Sequence, residues 1–187
     1  MRIRRYLGLC LTLLACLPAL AAAQDTRKVG LTIGYPAAVG ILWHATDKIA
    51  LRPELSLSGS SSSTQVSSVN IDSSAWALGV GFSALFYTGK YDHLRTYFTP
   101  RYSYTRASST VTPTSTIQGT VADSTSTSNT HGFTGSFGAQ YEISDRFSVF
   151  GELGFGFAHT NSRSDIGTTG HANAWGLRSG VGVVVYF

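Results

Sequence analysis

The sequence predicts an all-β fold, a closed antiparallel eight-stranded transmembrane β-barrel. Three observations predict it. Apolar residues recur at every second position in eight separate stretches, and none sustains a 3.6-residue apolar period. After the first hairpin, the connections alternate between short turns and long Ser/Thr-rich segments, the layout of a barrel with one plain rim and one elaborated rim. Opposite each apolar face lies a face of Gly, Ala, Ser and Thr that also holds the strand charges, which suits a narrow lumen.

Residues 1–23 read as an export signal: Arg2, Arg4 and Arg5, an apolar run from Leu7 to Leu17, then Ala21-Ala22-Ala23 before Gln24. The run is too short to cross a bilayer as a helix. Residues 24–187 then form a single barrel domain. Leu13-Leu14-Ala15-Cys16 loosely matches a lipoprotein box, but cutting there would leave Leu17 to Ala23 as an apolar tail, so the Ala-x-Ala site is preferred. Cys10 and Cys16 both fall in the signal, leaving no disulfide or thiol chemistry in the mature chain. The formal charge of +4 is mostly the signal's: without its three arginines, 11 Lys+Arg face 10 Asp+Glu. A nucleic-acid partner therefore has no support. A charged fraction of 13% is also low for a soluble surface.

The strands follow in order. Val29, Leu31, Ile33 and Tyr35 share one face of the first, with Lys28, Gly30, Thr32 and Gly34 on the other. Pro36-Ala37 leads to the second, Val39, Ile41 and Trp43 against Gly40, Leu42 and His44. Reading Val29 to Ala45 as one strand would leave seven and put the termini on opposite sides, so eight are kept. Thr46-Asp47-Lys48 turns the chain into the third strand, Ile49 to Ser58, with Arg52 and Glu54 in the mixed phase. A Ser-rich connection, Gly59 to Ser74, precedes the fourth, whose outward residues are Trp76, Leu78, Val80, Phe82, Ala84 and Phe86.

Gly89 to His93 turns again, and the fifth strand alternates Leu94, Thr96, Phe98, Pro100, Tyr102 and Tyr104 with Arg95, Tyr97, Thr99, Arg101 and Ser103. Ser108 to Thr130 is the longest polar stretch and is expected to be mobile. The sixth strand shows Phe133, Phe137, Ala139, Tyr141 and Ile143, with Glu142 in the mixed phase. After Ser144-Asp145-Arg146 the seventh sets Phe147, Val149, Leu153, Phe155 and Phe157 against Phe150 and Glu152. Thr160 to Ala172 is the last polar connection. The eighth strand carries Trp175, Leu177, Val181, Val183, Val185 and Phe187 on one side and Arg178 on the other. Pro53 and Pro100 fall in the same phase of similar stretches, each expected to mark a local bulge or bend.

Alternation alone fits two barrels, a soluble one with an apolar interior and a membrane one with an apolar exterior. The charges decide. Lys28, Arg52, Glu54, Arg95, Arg101, Glu142, Glu152 and Arg178 all lie in the mixed phase. An arginine facing lipid near the midplane would cost about 2–4 kcal/mol, so that phase is the lumen. Tyr35, Trp76, Phe86, Tyr141, Phe147, Trp175 and Phe187 cluster toward strand ends, as interfacial girdles do. Arg52, Glu54, Arg95, Arg101, Glu142, Glu152 and Arg178 are then expected to form a polar lumen network. Antiparallel pairing would set Glu152 opposite Gly180, a diagonal step from Arg178.

Candidate chemistry is sparse. His159, Ser162 and Asp165 are the residue types of a hydrolytic site and fall close together in sequence near the outer rim. His44, His93, His131, His159 and His171 share no ligand spacing and lack a Cys or carboxylate cluster, so neither a metal nor a cofactor is expected.

The closing strand, ending Val183-Val184-Val185-Tyr186-Phe187, resembles that of bacterial outer-membrane barrels. The whole mature chain resembles the small-barrel family that includes OmpA-like transmembrane domains and the OmpX and Ail types. That resemblance implies the outer membrane as location, Phe187 as part of the signal read by the barrel-insertion machinery, and outer-membrane lipids and lipopolysaccharide as surroundings. With no peptidoglycan-binding domain after Phe187, wall tethering is not expected. Three functions fit: a non-enzymatic surface protein meeting a host or surface ligand through its loops, a lipid A-modifying hydrolase, and a narrow passive pore. The deacylases of this architecture carry His-x-Ser-Asn, whereas His159-Thr160-Asn161-Ser162 exchanges Ser and Asn, so the surface protein leads.

Overall fold

The computed structural model describes residues 29–35, 38–66, 69–115 and 123–187; the expected export signal lies outside them. Eight strands follow in chain order: β1 Val29–Tyr35, β2 Ala38–His44, β3 Ile49–Val66, β4 Val69–Tyr91, β5 Leu94–Ser115, β6 Ser124–Ser144, β7 Phe147–Ser164 and β8 Thr169–Tyr186. Each pairs antiparallel with the next and β8 pairs back to β1, so the sheet closes into a barrel. Gly34 pairs with Ala38, so the chain reverses between them and the count is eight.

The register fixes the shape. Pairing followed once round from Ile33, through Val39, Leu55, Val80, Tyr104, His131 and His159, ends at Asn173. Asn173 lies ten residues along β8 from Val183, the residue that pairs with Ile33. A stagger of that size in eight strands means a tilt of about 40° and an interior that side chains nearly fill.

Among the described residues, most of the Ser/Thr-rich stretches expected as loops are instead strands. Ser61 pairs with Ser74, Ser109 with Ser126 and Thr160 with Ala172. Hydroxyl pairs bridge these extensions, Thr110 Oγ1 to Thr125 Oγ1 at 3.2 Å and Thr130 Oγ1 to Thr160 Oγ1 at 2.8 Å. The physical reason is solvation. Above the apolar band both faces of the sheet meet water, so nothing demands alternation, yet the ladder continues and β-branched Thr suits it. β1 and β2 hold 7 residues each, while β3 and β7 hold 18 and β4 holds 23. Six strands therefore rise well past the β1–β2 hairpin.

The opposite rim is compact. Thr46 Oγ1 accepts from the backbone N–H of Lys48 and Ile49, at 3.2 and 3.0 Å, and closes the β2–β3 turn. Asp92 takes φ 53° in the β4–β5 turn, a left-handed conformation that Asp tolerates. Pro53 and Pro100, expected to mark a bulge or bend, neither bulge nor shift the register. Each interrupts the ladder on one side: β2–β3 pairing skips Arg52 and Pro53, and β4–β5 pairing skips Thr99 and Pro100. A residue without an N–H forfeits that ladder bond.

Outside, Phe82, Phe98, Phe137, Leu153, Phe155 and Leu177 are exposed in one continuous band. Inside, Leu42, Ala50, Leu85, Tyr97, Val184 and Tyr186 are buried. Small residues make room there. The ring of Tyr97 lies over its pairing partner Gly138, where a Cβ would fall 2.5 Å from Cζ.

Candidate functional site

Two polar layers cross the lumen. The upper one centres on Arg52, which is 2% exposed. From β3 its guanidinium reaches β7 on the far wall, with Nη1 at 2.8 Å from Glu152 Oε1 and Nη2 at 3.1 Å from Oε2. This two-pronged geometry is the strongest form of a guanidinium–carboxylate pair. Its Nε lies 3.3 Å from Glu54 Oε1, and Arg101 Nη2 lies 3.0 Å from Glu54 Oε2. Tyr97 donates its hydroxyl to Glu152 Oε1 at 2.9 Å. Phe150 backs the centre, its ring centroid 5.1 Å from Arg52 Cζ. Two arginines balance two glutamates, so the layer is neutral and braced across β3, β5 and β7.

The lower layer is aromatic and uncharged at its core. Gln140 Nε2 donates to Tyr186 Oη at 2.6 Å, and Tyr87 donates to Gln140 Oε1 at 3.0 Å. His44 stacks on Tyr87 at 5.4 Å between centroids. Arg95 caps the layer, its Cζ 4.0 Å from the Tyr87 centroid and its Nη2 donating to Asp47 O at 2.8 Å. Below lies a cleft of about 640 Å³ at the short-turn rim, lined by His44, Lys48, Tyr87, Lys90, Arg95 and Glu142.

Of the seven expected lumen residues, Arg52, Glu54, Arg101 and Glu152 come together, Arg95 and Glu142 line the lower cleft, and Arg178 stands apart. The expected register is present, Glu152 opposite Gly180, but Glu152 reaches across the lumen to Arg52 and not along the wall to Arg178. Among the described residues Arg178 has no ion-pair partner. Its side chain runs over Gly156 above the plug, and it is exposed.

His159, Ser162 and Asp165 do not converge. His159 and Ser162 lie on strand β7, where residues three apart point to opposite faces, and Asp165 lies in the turn after it. His159 faces outward, its Nδ1 2.6 Å from Asn173 Oδ1, while Ser162 donates to Gly170 O at 3.3 Å. Asp165 accepts the Thr125 N–H at 2.8 Å. That backbone hydrogen bond, with a lesser one from the Ser164 hydroxyl, holds its carboxyl below the usual carboxylate range.

Tyr97, Tyr87, Gln140 and Tyr186 are plug residues that sequence reasoning placed in no network. Their signal was their phase: large neutral polar groups on a face otherwise made of Gly, Ser and Thr. A second missed feature is an outward row at the top of the apolar band. Tyr104, His131, His159 and Asn173 pair side by side across four strands. Tyr102 Oη lies 2.8 Å from His131 Nδ1, and Tyr104 donates to Asn129 Oδ1 at 2.8 Å.

No protein-family model matches the chain, and no curated protein does. Solved structures do match. The major outer membrane protein of Thermus thermophilus aligns with a TM-score of 0.54 at 11% identity, covering 87% of this chain and 100% of its own. The fold is that of an outer-membrane barrel. Acinetobacter baumannii CarO (TM-score 0.47, 14% identity, 88% of this chain and 100% of that one) is also similar. So is CarO2 of the same organism (TM-score 0.44, 14% identity, 86% and 98%). At these identities the likeness is one of fold.

Proposed function

We propose that the chain is a non-enzymatic surface protein of the bacterial outer membrane, exported by residues 1–23 and akin to the OmpX and Ail types. The barrel anchors it, and the raised rim meets a host or surface partner. The observation that carries this reading is the rim itself: β3–β8 continue as one hydrogen-bonded, hydroxyl-rich sheet beyond the apolar band, above a lumen filled by the Arg52–Glu152 plug. A paired sheet holds its surface in place, so a partner binds without the cost of ordering a loop. Its margins are also unguarded. β3 from Ser58 to Gln65 and β8 from Thr169 to Trp175 are exposed on both faces, with no Lys or Pro to deter an added strand. An extended partner segment could join there through main-chain hydrogen bonds.

The plug favours neither conduction nor substrate passage, and His159 and Ser162, on opposite faces of β7, do not support the hydrolytic reading built on them. The test is cell-surface binding by bacteria displaying the barrel with its rim cut back, replacing Ser109–Ser126 by a two-residue turn. Binding should fall to the level of cells lacking the protein while the barrel still folds. A Ser162→Ala variant should leave both binding and the lipid A mass profile unchanged. A lipid A change in Ser162→Ala with binding unaffected by trimming would replace the surface role with an enzymatic one.

A further inference from the structure

Among the described residues, nothing continues the wall of the barrel above the β1–β2 hairpin. β8 pairs with β1 only up to Val181, and β3 pairs with β2 only up to Leu55. Beyond those residues, among the described residues, neither edge has a backbone partner. Where the hairpin ends, the register holds the two edges three strand spacings apart, about 14 Å. On the lumen side of β8 the vestibule is open at this level: a Cβ built on Gly176 meets no atom within 4 Å among the described residues.

The depth of this notch gives it meaning. On β8 the outward apolar residues continue through Leu177 to Trp175, the latter 75% exposed, so residues 175–180 lie within the apolar band with no backbone partner on that edge among the described residues. On β3 the band ends at Leu57, just above the last pair. At about 2.5 Å of height per tilted residue, the notch is about 15 Å deep along β8 and about 5 Å along β3. Backbone N–H and C=O groups cannot stay unpaired against hydrocarbon. This edge must therefore meet water from the vestibule above the plug, or a polar group entering from the membrane.

Arg178 selects between these. It sits on the free edge strand in the lumen phase, and it is the one strand arginine of the vestibule that no carboxylate neutralises among the described residues. Arg52 and Arg101 are both paired. The notch thus joins an apolar outside to a cationic inside through a gap walled by small residues, Ser56 and Ser58 on β3 and Gly176 and Gly180 on β8. We propose that it takes an anionic single-chain amphiphile from the outer leaflet, the headgroup on Arg178 and the acyl chain leaving through the gap. This rests on the outer-membrane reading of the barrel.

The test uses the whole barrel in phosphatidylcholine nanodiscs with oleate as probe and oleyl alcohol as its uncharged counterpart. Saturable binding of about one oleate per barrel is expected, with oleyl alcohol and the Arg178→Gln variant each about tenfold weaker for loss of a charge-assisted contact. Gly176→Trp, at a position where a Cβ meets no atom within 4 Å, should abolish binding while the barrel keeps its heat-resistant migration. Binding no greater than to empty discs, or binding that survives either substitution, overturns the proposal. So does a paired barrel with no oleate, which would assign the notch to a second copy. A barrel that never enters discs fails the membrane reading itself, and that failure is separable because insertion is scored before ligand is added.

Discussion

Arg52 on β3 and Glu152 on β7 meet across the full width of the barrel, two nitrogens on two oxygens at 2.8 and 3.1 Å. Strands four apart in a ring of eight face each other, so this single pair ties opposite walls and fills the axis between them. Removing one partner strands a buried charge. Glu152→Ala should destabilise the barrel by about 3 kcal/mol, at the low end for a broken buried pair because Glu54 stays on Arg52. Urea midpoints in detergent micelles read this directly. An Arg52→Met/Glu152→Leu double variant should lose less than the two single variants summed, and strict additivity would show that the pair does not act as one.

A filled lumen should not conduct. In planar bilayers the native barrel is expected to be silent, and Arg52→Ala combined with Tyr97→Ala should produce small current steps by emptying the upper layer. Steady native conductance would mean the plug opens.

Facing is tested by depth. Leu153 lies mid-band and is 62% exposed, whereas Ile143 lies at the short-turn rim. Leu153→Arg should cost about 2–4 kcal/mol and Ile143→Arg about 0–1 in refolding into lipid vesicles. Equal costs at both would remove the case for a bilayer around this band.

The strand cores and their facing were legible because lipid imposes them: a residue such as Phe137 must be apolar and its neighbours small or polar, so period 2 shows. The rim was not legible, since Ser61 and Ser74 pair where both faces are wet and no alternation is written. The phase of the lumen charges could be read, but their partners could not. Register alone puts Arg178 beside Glu152, whereas the length of the Arg52 side chain lets it span the lumen first. The same period explains the catalytic candidates: His159 and Ser162 look adjacent in a loop and lie on opposite faces of a strand.

The junction of the β6–β7 and β7–β8 rim segments should respond to acid through Asp165. Its folded-state pKa is lowered, chiefly by the Thr125 N–H, so the contact contributes above the unfolded value and is lost as pH falls through the folded one. Exchange of the Thr125 amide should therefore accelerate only below the ordinary carboxylate range, and Asp165→Asn should abolish that response. An unchanged acid response in Asp165→Asn would assign it elsewhere.

Whether the rim is a fixed sheet is decided by hydrogen–deuterium exchange of the barrel in nanodiscs. Amides of 105–111 and 126–131, laddered to neighbours on both sides, should exchange orders of magnitude more slowly than an unstructured chain, with faster exchange confined to the free margins of β3 and β8. Exchange at the unstructured rate throughout 105–131 would make this region a mobile loop and contradict a surface protein that works through a rigid raised sheet.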